Sequence, residues 1–373
     1  MRLTVFGPGH PFRGGIARAT TALVAALADR GHEMLFLTPK RQYPSWLYPG
    51  VSDRDPEACP RLECSRAVLD PLGPASWRTA RTTALDHRSD AWIVPYWTWA
   101  WSGLWWSLLR DARRPGALGL VHNPVDHDAR MVQRVAARAV LGRCAALFTH
   151  AAVLAKQLEE AYPGKPVAYH RLPAADVSAL PERSAARSTL GLPGDRRVAL
   201  FLGLIRPYKG VEVLLEAAAG LGAGSDWLIV IAGEPWGDLG DRIRRKVDSL
   251  GLGDRVRLEL RWIPEQQVPG FLAAADLLVL PYLRGSQSAV APMALASGVP
   301  VLSTAVGGVP EVVVDGVNGV IVPPGDPAAL TAALEALDGD WLAALTEGAR
   351  NAADTLTWSS YAAATEKTLE RMQ

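Results

Sequence analysis

Long apolar runs, a usable set of cysteines and an excess of either charge are all missing from this sequence, and each absence removes a class of protein. No stretch reaches the roughly 18 to 20 apolar residues of a membrane-crossing helix. The start, MRLTVFGPGH, breaks at Gly7 and Pro8 after one strand-length apolar run, which suits neither a signal peptide nor an anchor. Lys and Arg number 39 against 38 Asp and Glu, a formal charge of +1. Such a balance provides no bulk field to hold nucleic acid or an anionic bilayer, so any anion site has to be local. Three cysteines occur, Cys59, Cys64 and Cys144, an odd number without metal-ligand spacing. They read as free thiols in a reducing compartment, with a Cys59–Cys64 pairing as the lesser alternative. The expectation is a cytoplasmic chain with no nucleic-acid partner and no stable membrane insertion.

What is present is apolar residue in quantity, 49% of 373 positions with 21% charged, enough for a sizeable core. A chain this long outgrows one core, so two α/β domains of about 180 residues are expected. Short apolar or β-branched runs alternate with alanine-rich amphipathic segments, the rhythm of a parallel sheet covered on both faces. The first half supplies candidate strands at 2–6, 33–37, 91–94, 118–121, 146–149 and 167–170, and a clear helix at 17–30 that stops at Gly31. Around 174–195 the composition turns to Ala, Ser, Pro, Glu and Arg without a strong period, as a linker would. A second series follows at 198–202, 227–232, 256–260, 277–280, 301–304 and 319–322. The expected domains are 1–178 and 179–357, with 358–373 as a helix that packs back on the first domain.

Ligands of doubly wound sheets collect beyond the carboxyl ends of the strands, and four turns of the second half stand there. After the first strand comes Gly203-Leu204-Ile205-Arg206-Pro207-Tyr208-Lys209-Gly210. Gly203 allows close backbone approach, Arg206 offers a planar fork to paired phosphate oxygens and Lys209 adds a point charge. On spacing alone they could equally be two solvated cations. Gly233-Glu234 follows the next strand, where the carboxylate could meet hydroxyls or orient Lys209, or simply form a turn. Ser286-Gln287-Ser288-Ala289 opens an apolar helix at 290–296, an anion site or a plain Ser cap. Gly307-Gly308 completes the set.

In the first half, Gly14-Gly15 at a helix entry could again turn amides toward a diphosphate. The segment is not G-x-G-x-x-G and lacks the following acidic residue, so a bound dinucleotide is disfavoured. His122-Asn123 directly follows a strand and would project into an interdomain cleft, where a neutral imidazole can donate to a sugar hydroxyl or shuttle a proton. Trp92, Trp97, Trp99, Trp101, Trp105 and Trp106 are too many indoles for one face. Most belong in the core, and Trp97 or Trp99, beyond Pro95, could stack on an acceptor. Arg130, Arg134 and Arg138 lie four apart, a solvated helical stripe or a contact for an acidic acceptor or membrane surface.

These residues resemble the retaining glycosyltransferases of family 4, also called glycosyl transferases group 1, and the resemblance runs nearly end to end. It rests on Gly14-Gly15, His122, Gly203 to Gly210, Ala275 to Pro281 and Ala296 to Gly319, where the stretch GVPVLSTAVGGVPEVVVDGVNG is the most specific. The resemblance implies the GT-B fold, two Rossmann-like doubly wound domains facing across a cleft. It implies an enzyme that transfers a sugar from a nucleoside diphosphate, such as a UDP or GDP sugar, to a hydroxyl or amine acceptor, with retention and without a metal or cofactor. Arg206 and Lys209 would bind the donor diphosphate, His122 would lie beside the transferred sugar, and Gly14 and Gly15 would approach the donor phosphate or acceptor. The acceptor, assigned to Trp97, Trp99 and Asn123, could be a small molecule, a glycan or a lipid-linked group met through peripheral membrane contact. One departure stands out: the family's two glutamates eight positions apart fall here on Gly285 and Met293. The loop 286–289 resembles that of a subgroup with a T-Q-S-G type sequence, which implies that backbone amides and Gln287 serve the sugar. An epimerase or hydrolase on the same fold, or a non-catalytic nucleotide-sugar-binding protein, are the alternatives.

Overall fold

The protein is described here from a computed structural model covering residues 1–42, 53–55, 62–111, 114–123, 131–174, 180–353 and 355–372. The chain divides into two compact units, Met1–Leu172 together with Trp358–Gln373, and Pro173–Thr357. Residues 175–179, where the sequence suggested the boundary, lie outside the described residues, as do Cys59 and Arg130. Cys64 and Cys144 are free thiols. Among the described residues no helix is long and apolar enough to cross a membrane.

Among the described residues the first unit holds seven strands: β1 (Arg2–Phe6), β2 (Glu33–Pro39), β3 (Ser65–Leu69), β4 (Ala91–Tyr96), β5 (Gly116–Val121), β6 (Ala146–Thr149) and β7 (Val167–Tyr169). They form one sheet in the order β3-β2-β1-β4-β5-β6-β7, and every pairing is parallel. The second unit holds β8 (Arg197–Leu202), β9 (Trp227–Ala232), β10 (Val256–Glu259), β11 (Leu277–Leu280), β12 (Val301–Thr304) and β13 (Gly319–Val322), in the order β10-β9-β8-β11-β12-β13 and again parallel. Parallel strands buried on both faces need uninterrupted apolar runs. The sequences AWIVPY of β4 and WLIVIA of β9, buried at every position, supply them.

Each sheet reverses its winding once, between β1 and β4 and between β8 and β11, and at each reversal the two strands part early. β4 pairs with β1 only as far as Ile93 but with β5 as far as Tyr96. Pro95, which has no N–H to give a second neighbour, sits just past the point of separation. β8 pairs with β11 only through Ala199 and Leu200, yet with β9 to Leu202. Splayed strand ends at a topological switch point form the crevice in which doubly wound sheets take ligands.

The indole-rich segment divides as its crowding demanded. Trp92, Trp97, Trp101 and Trp105 are buried, with ring centroids of Trp97, Trp101 and Trp105 4.9 to 6.3 Å apart, while Trp99 is 47% exposed and Trp106 38%. Burying a large aromatic side chain contributes about 2 to 3 kcal/mol, so this cluster anchors the wall beside β4. In the second unit Asp276, from the Ala-Asp pair of the family motif, is a structural staple. Its carboxylate accepts from Arg187 and Arg183, each at 2.6 Å, and from the Val198 amide at 2.7 Å. Those bonds pin the helix Arg183–Leu190 to the start of β8.

Candidate functional site

In the second unit the four glycine-bearing turns are sewn into one surface by backbone hydrogen bonds. Ile205 N donates to Glu234 O at 2.9 Å and Trp236 N to Ile205 O at 3.0 Å, joining the turns after β8 and β9. Leu283 N donates to Tyr208 O at 2.7 Å, joining the turn after β8 to that after β11. Gly308 N donates to Ser286 O at 2.8 Å, adding the turn after β12. Packing this close leaves no room for side chains. A Cβ on Gly233 would lie 1.9 Å from Gly203 O, and one on Gly210 1.9 Å from Pro281 O. The glycines are therefore required by contact between turns, whatever they do for a ligand.

Lys209 ends a short 3-10 turn, Pro207–Lys209, and folds back over the glycine that opened the segment. A Cβ on Gly203 would meet its Nζ at 3.4 Å and Val290 Cγ2 at 3.7 Å. The ammonium also lies 5.5 Å from the centre of the buried Tyr282 ring. Burial, with a smaller push from the neighbouring Arg206 guanidinium, lowers the Lys209 pKa; Tyr208 opposes them, and among the described residues no carboxylate does. Arg206 stacks on Trp236, its Cζ 3.2 Å from the ring centre, which fixes the plane of the guanidinium. Lys209 therefore stands beside a second cation with no acid among the groups that shift its pKa, an arrangement suited to an anion.

The turn after β11 assigns its residues differently. Ser288 Oγ accepts from Val290 N at 3.2 Å and Ala291 N at 3.3 Å, so this hydroxyl caps the helix Val290–Ala296. Gln287 Oε1 is buried and finds no hydrogen-bond partner among the described residues, an acceptor held ready for a donor group. Ser286 and Ala289 are half-buried, as is Glu234. Where the family carries its two glutamates, Gly285 has only ordinary neighbours around its vacant Cβ, and Met293 is buried in the core.

In the first unit Gly14 takes φ +110° and precedes the helix Gly15–Asp29, whose first turn has neither a side-chain cap nor an acidic residue. His122 follows β5 and its amide donates to Tyr96 O at 2.9 Å. Its ring is buried, with Nδ1 2.9 Å from His150 Nε2, and burial lowers its pKa to about 4. The imidazole is therefore neutral at physiological pH. Asn123 is half-buried beside it, Trp97 is enclosed by the indole cluster, and Trp99 is open.

Thus Gly203, Arg206, Lys209, Gly233, Glu234 and residues 286–289 come together in the second unit, while in the first Gly14 and Gly15 open the helix that follows β1, and His122 and Asn123 directly follow β5. Sequence reasoning missed the aromatic floors, Trp236 under Arg206 and Tyr282 under Lys209. Both sit in the turns after β9 and β11 already singled out, so an aromatic in each of those turns was the available signal, while its contact with a cation of another turn was not. It also missed His150, which directly follows β6 as His122 follows β5.

Two family models match the chain, glycosyl transferases group 1 over residues 182–351 and the glycosyl transferase 4-like domain over 14–175. D-inositol 3-phosphate glycosyltransferase 1 of Catenulispora acidiphila is 34% identical over 260 residues, 65% of this chain and 62% of that protein. The chain thus spans less than two thirds of the length of the curated relatives it matches. Among solved structures, sucrose-phosphate synthase from Thermosynechococcus elongatus superposes with a TM-score of 0.83 at 19% identity, covering 100% of this chain and 99% of that one. HepE from Anabaena, solved with UDP and glucose, gives 0.77 at 18% identity, covering 98% and 99%. At such identities the two structures speak for the fold alone.

Proposed function

The chain belongs to the glycosyl transferases of group 1, with the GT-B fold, and from that premise we propose that it transfers a sugar from a nucleoside diphosphate to an acceptor hydroxyl or amine with retention of configuration. The observation that carries this reading is the Arg206–Lys209 pair, two cations on glycine-built turns with no acid against Lys209 among the described residues. A diphosphate supplies the absent anion, and the pair then stabilises the charge that grows on it as the glycosidic bond breaks, which removes the need for a metal. Gly203 and Gly233 let the phosphates approach backbone, Gln287 Oε1 accepts from a sugar hydroxyl, and the amides of 286–289 complete the donor site. His122 serves the transferred sugar and the amides at Gly14 and Gly15 the donor phosphate or acceptor.

No carboxylate stands at 285 or 293, and neither residue assigned to the donor sugar, Gln287 or His122, is a carboxylate. A same-face displacement follows: the acceptor oxygen bonds to the anomeric carbon as the bond to the phosphate oxygen breaks, and that oxygen takes the acceptor proton. Trp99 and Asn123 are assigned to the acceptor, with Trp97 supporting them from the core. The name of one relative, D-inositol 3-phosphate glycosyltransferase 1, makes D-inositol 3-phosphate the first acceptor to try, beside glycan and lipid-linked acceptors.

The test incubates the full chain with UDP, GDP, ADP and TDP sugars, with and without acceptor and with EDTA, and reads the product anomer by NMR. Transfer with retention that survives EDTA is expected. Inversion overturns the same-face displacement, and turnover that needs no acceptor makes the chain a sugar-nucleotide epimerase or hydrolase. Donor binding without transfer to any acceptor makes it a binding protein, the reading favoured by Gly285 and Met293.

A further inference from the structure

Three buried side chains of the first unit, drawn from three separate parts of the chain, form a single hydrogen-bonded line. His122 Nδ1 is 2.9 Å from His150 Nε2, and His150 Nδ1 is 2.8 Å from Tyr361 Oη. The exposures are 3%, 4% and 1%. Tyr361 belongs to the C-terminal helix Trp358–Glu370, is separated from His150 by 211 positions, and is wedged between Phe148 and Trp358 with its ring stacked 5.7 Å from that of His150. Burial lowers the pKa of His150, with His122 adding to the effect, and raises that of Tyr361. All three groups are therefore uncharged near neutral pH.

A neutral imidazole has one N–H and one lone pair, so the line can run in two senses. The phenol decides between them. Each sense leaves one terminal donor, and the two ends differ. Tyr361 Oη is enclosed between Phe148 and Trp358, with His150 Nδ1 its one hydrogen-bond partner among the described residues, so an O–H turned away from it would donate to nothing, which is costly. An N–H on His122, by contrast, directly follows β5, at the strand end where a ligand oxygen can accept it. The hydroxyl therefore donates to His150 Nδ1, which leaves the His150 proton on Nε2. That proton is donated to His122 Nδ1, so the proton of His122 is on its own Nε2.

We propose that Tyr361 and His150 are positioning residues that lock His122 in the Nε2–H tautomer, so that it meets its ligand as a hydrogen-bond donor and not as a base. An oxygen lone pair, such as that of a sugar hydroxyl, is the matching ligand chemistry, and this part rests on the glycosyl-transfer reading. With His122 unable to accept a proton at Nε2, deprotonation of the acceptor falls to the departing phosphate.

The test labels the histidine rings of the full chain with nitrogen-15 and records one-bond and long-range proton–nitrogen correlations at neutral pH without ligand. The expected spectrum shows a pyrrole-type Nε2 and a pyridine-type Nδ1 for both His122 and His150. A pyrrole-type Nδ1 at His122 overturns the proposal, and this spectrum needs no variant to fold. In Tyr361→Phe the bias is removed: the His122 signals should move toward a mixture of tautomers, and kcat should fall about tenfold, the worth of one hydrogen bond to the reacting sugar, with the donor KM nearly unchanged. Unchanged His122 signals in folded Tyr361→Phe would equally sink it. Absence of transfer activity in the native chain would count against the glycosyl-transfer reading while leaving the tautomer measurement intact.

Discussion

The cation site of the second unit and the histidine site of the first are built from opposite materials. Around Lys209 and Arg206 the geometry is set by backbone: glycines whose missing Cβ atoms let turns touch, and amide–carbonyl bonds that sew four turns together. Around His122 it is set by side chains, a line of rings from β5, β6 and the C-terminal helix. A backbone-built site tolerates loss of one side chain but not the gain of one. A side-chain relay should behave in the reverse way, which makes the contrast testable.

The largest effect is expected from adding a methyl group. In Gly233→Ala the new Cβ would stand 1.9 Å from Gly203 O, at a residue whose φ is +157°. The turns after β8 and β9 must part, and nucleoside diphosphate affinity should fall by about 3 kcal/mol or more, as for loss of a buried charge pair. Calorimetry reads the affinity, and the nitrogen-15 signals of His122 and His150 should stay in place. Native-like binding in this variant would mean that the backbone contact is dispensable.

Removing a cation should cost less. Arg206→Ala and Lys209→Ala are each expected to weaken nucleoside diphosphate binding by about 1.5 to 3 kcal/mol, the range for hydrogen bonds to charged groups. Arg206→Lys should recover little of it, because an ammonium can neither fork two phosphate oxygens nor stack flat on Trp236. Unchanged affinity on calorimetric titration of either alanine variant would remove that residue from the site.

The Lys209 pKa gives the pH dependence. Burial and Arg206 hold it below the ordinary 10.5, and a bound diphosphate favours the charged form and raises it again. Binding is strongest where Lys209 is protonated. Affinity should fall as pH rises through the lowered pKa of the free protein, by up to about tenfold per pH unit, with proton uptake on binding in that range. Lys209→Ala should flatten this limb, and a limb of equal slope in the variant would assign the titration elsewhere.

The two sites were also unequally legible in the sequence. Strands such as AWIVPY and WLIVIA announced themselves because full burial leaves no polar position to blur them. β3, SRAVL, went unseen because it is a short edge strand, half-exposed over most of its length, with the charged Arg66 as its second residue. The glycine-bearing turns could be found because each lies directly after a strand and carries its glycines in sequence. What the sequence hid was contact across it. Trp236 beneath Arg206 comes from another turn, and Tyr361 reaches His150 across 211 positions. Ser288 shows the converse: its place in a glycine-serine turn suited a phosphate ligand equally well, and only the structure reveals that its hydroxyl caps a helix.

The smallest effect sharpens the contrast from the side of the first unit. Trp97 and Trp99 were both assigned to the acceptor, yet Trp97 is enclosed by Trp101 and Trp105 while Trp99 is 47% exposed. Only the exposed ring can lend a face to a sugar or cyclitol without rearrangement, and such stacking is worth about 0.5 to 1.5 kcal/mol. Trp99→Ala should therefore raise the acceptor KM by roughly two- to tenfold, leaving the donor KM and the melting temperature close to native. Trp97→Ala should do the opposite, lowering the melting temperature by emptying part of the core, with a cost of about 3 to 5 kcal/mol in stability. If Trp99→Ala destabilises the fold and leaves acceptor kinetics alone, the exposed indole belongs to packing, and Asn123 would be left to carry acceptor recognition.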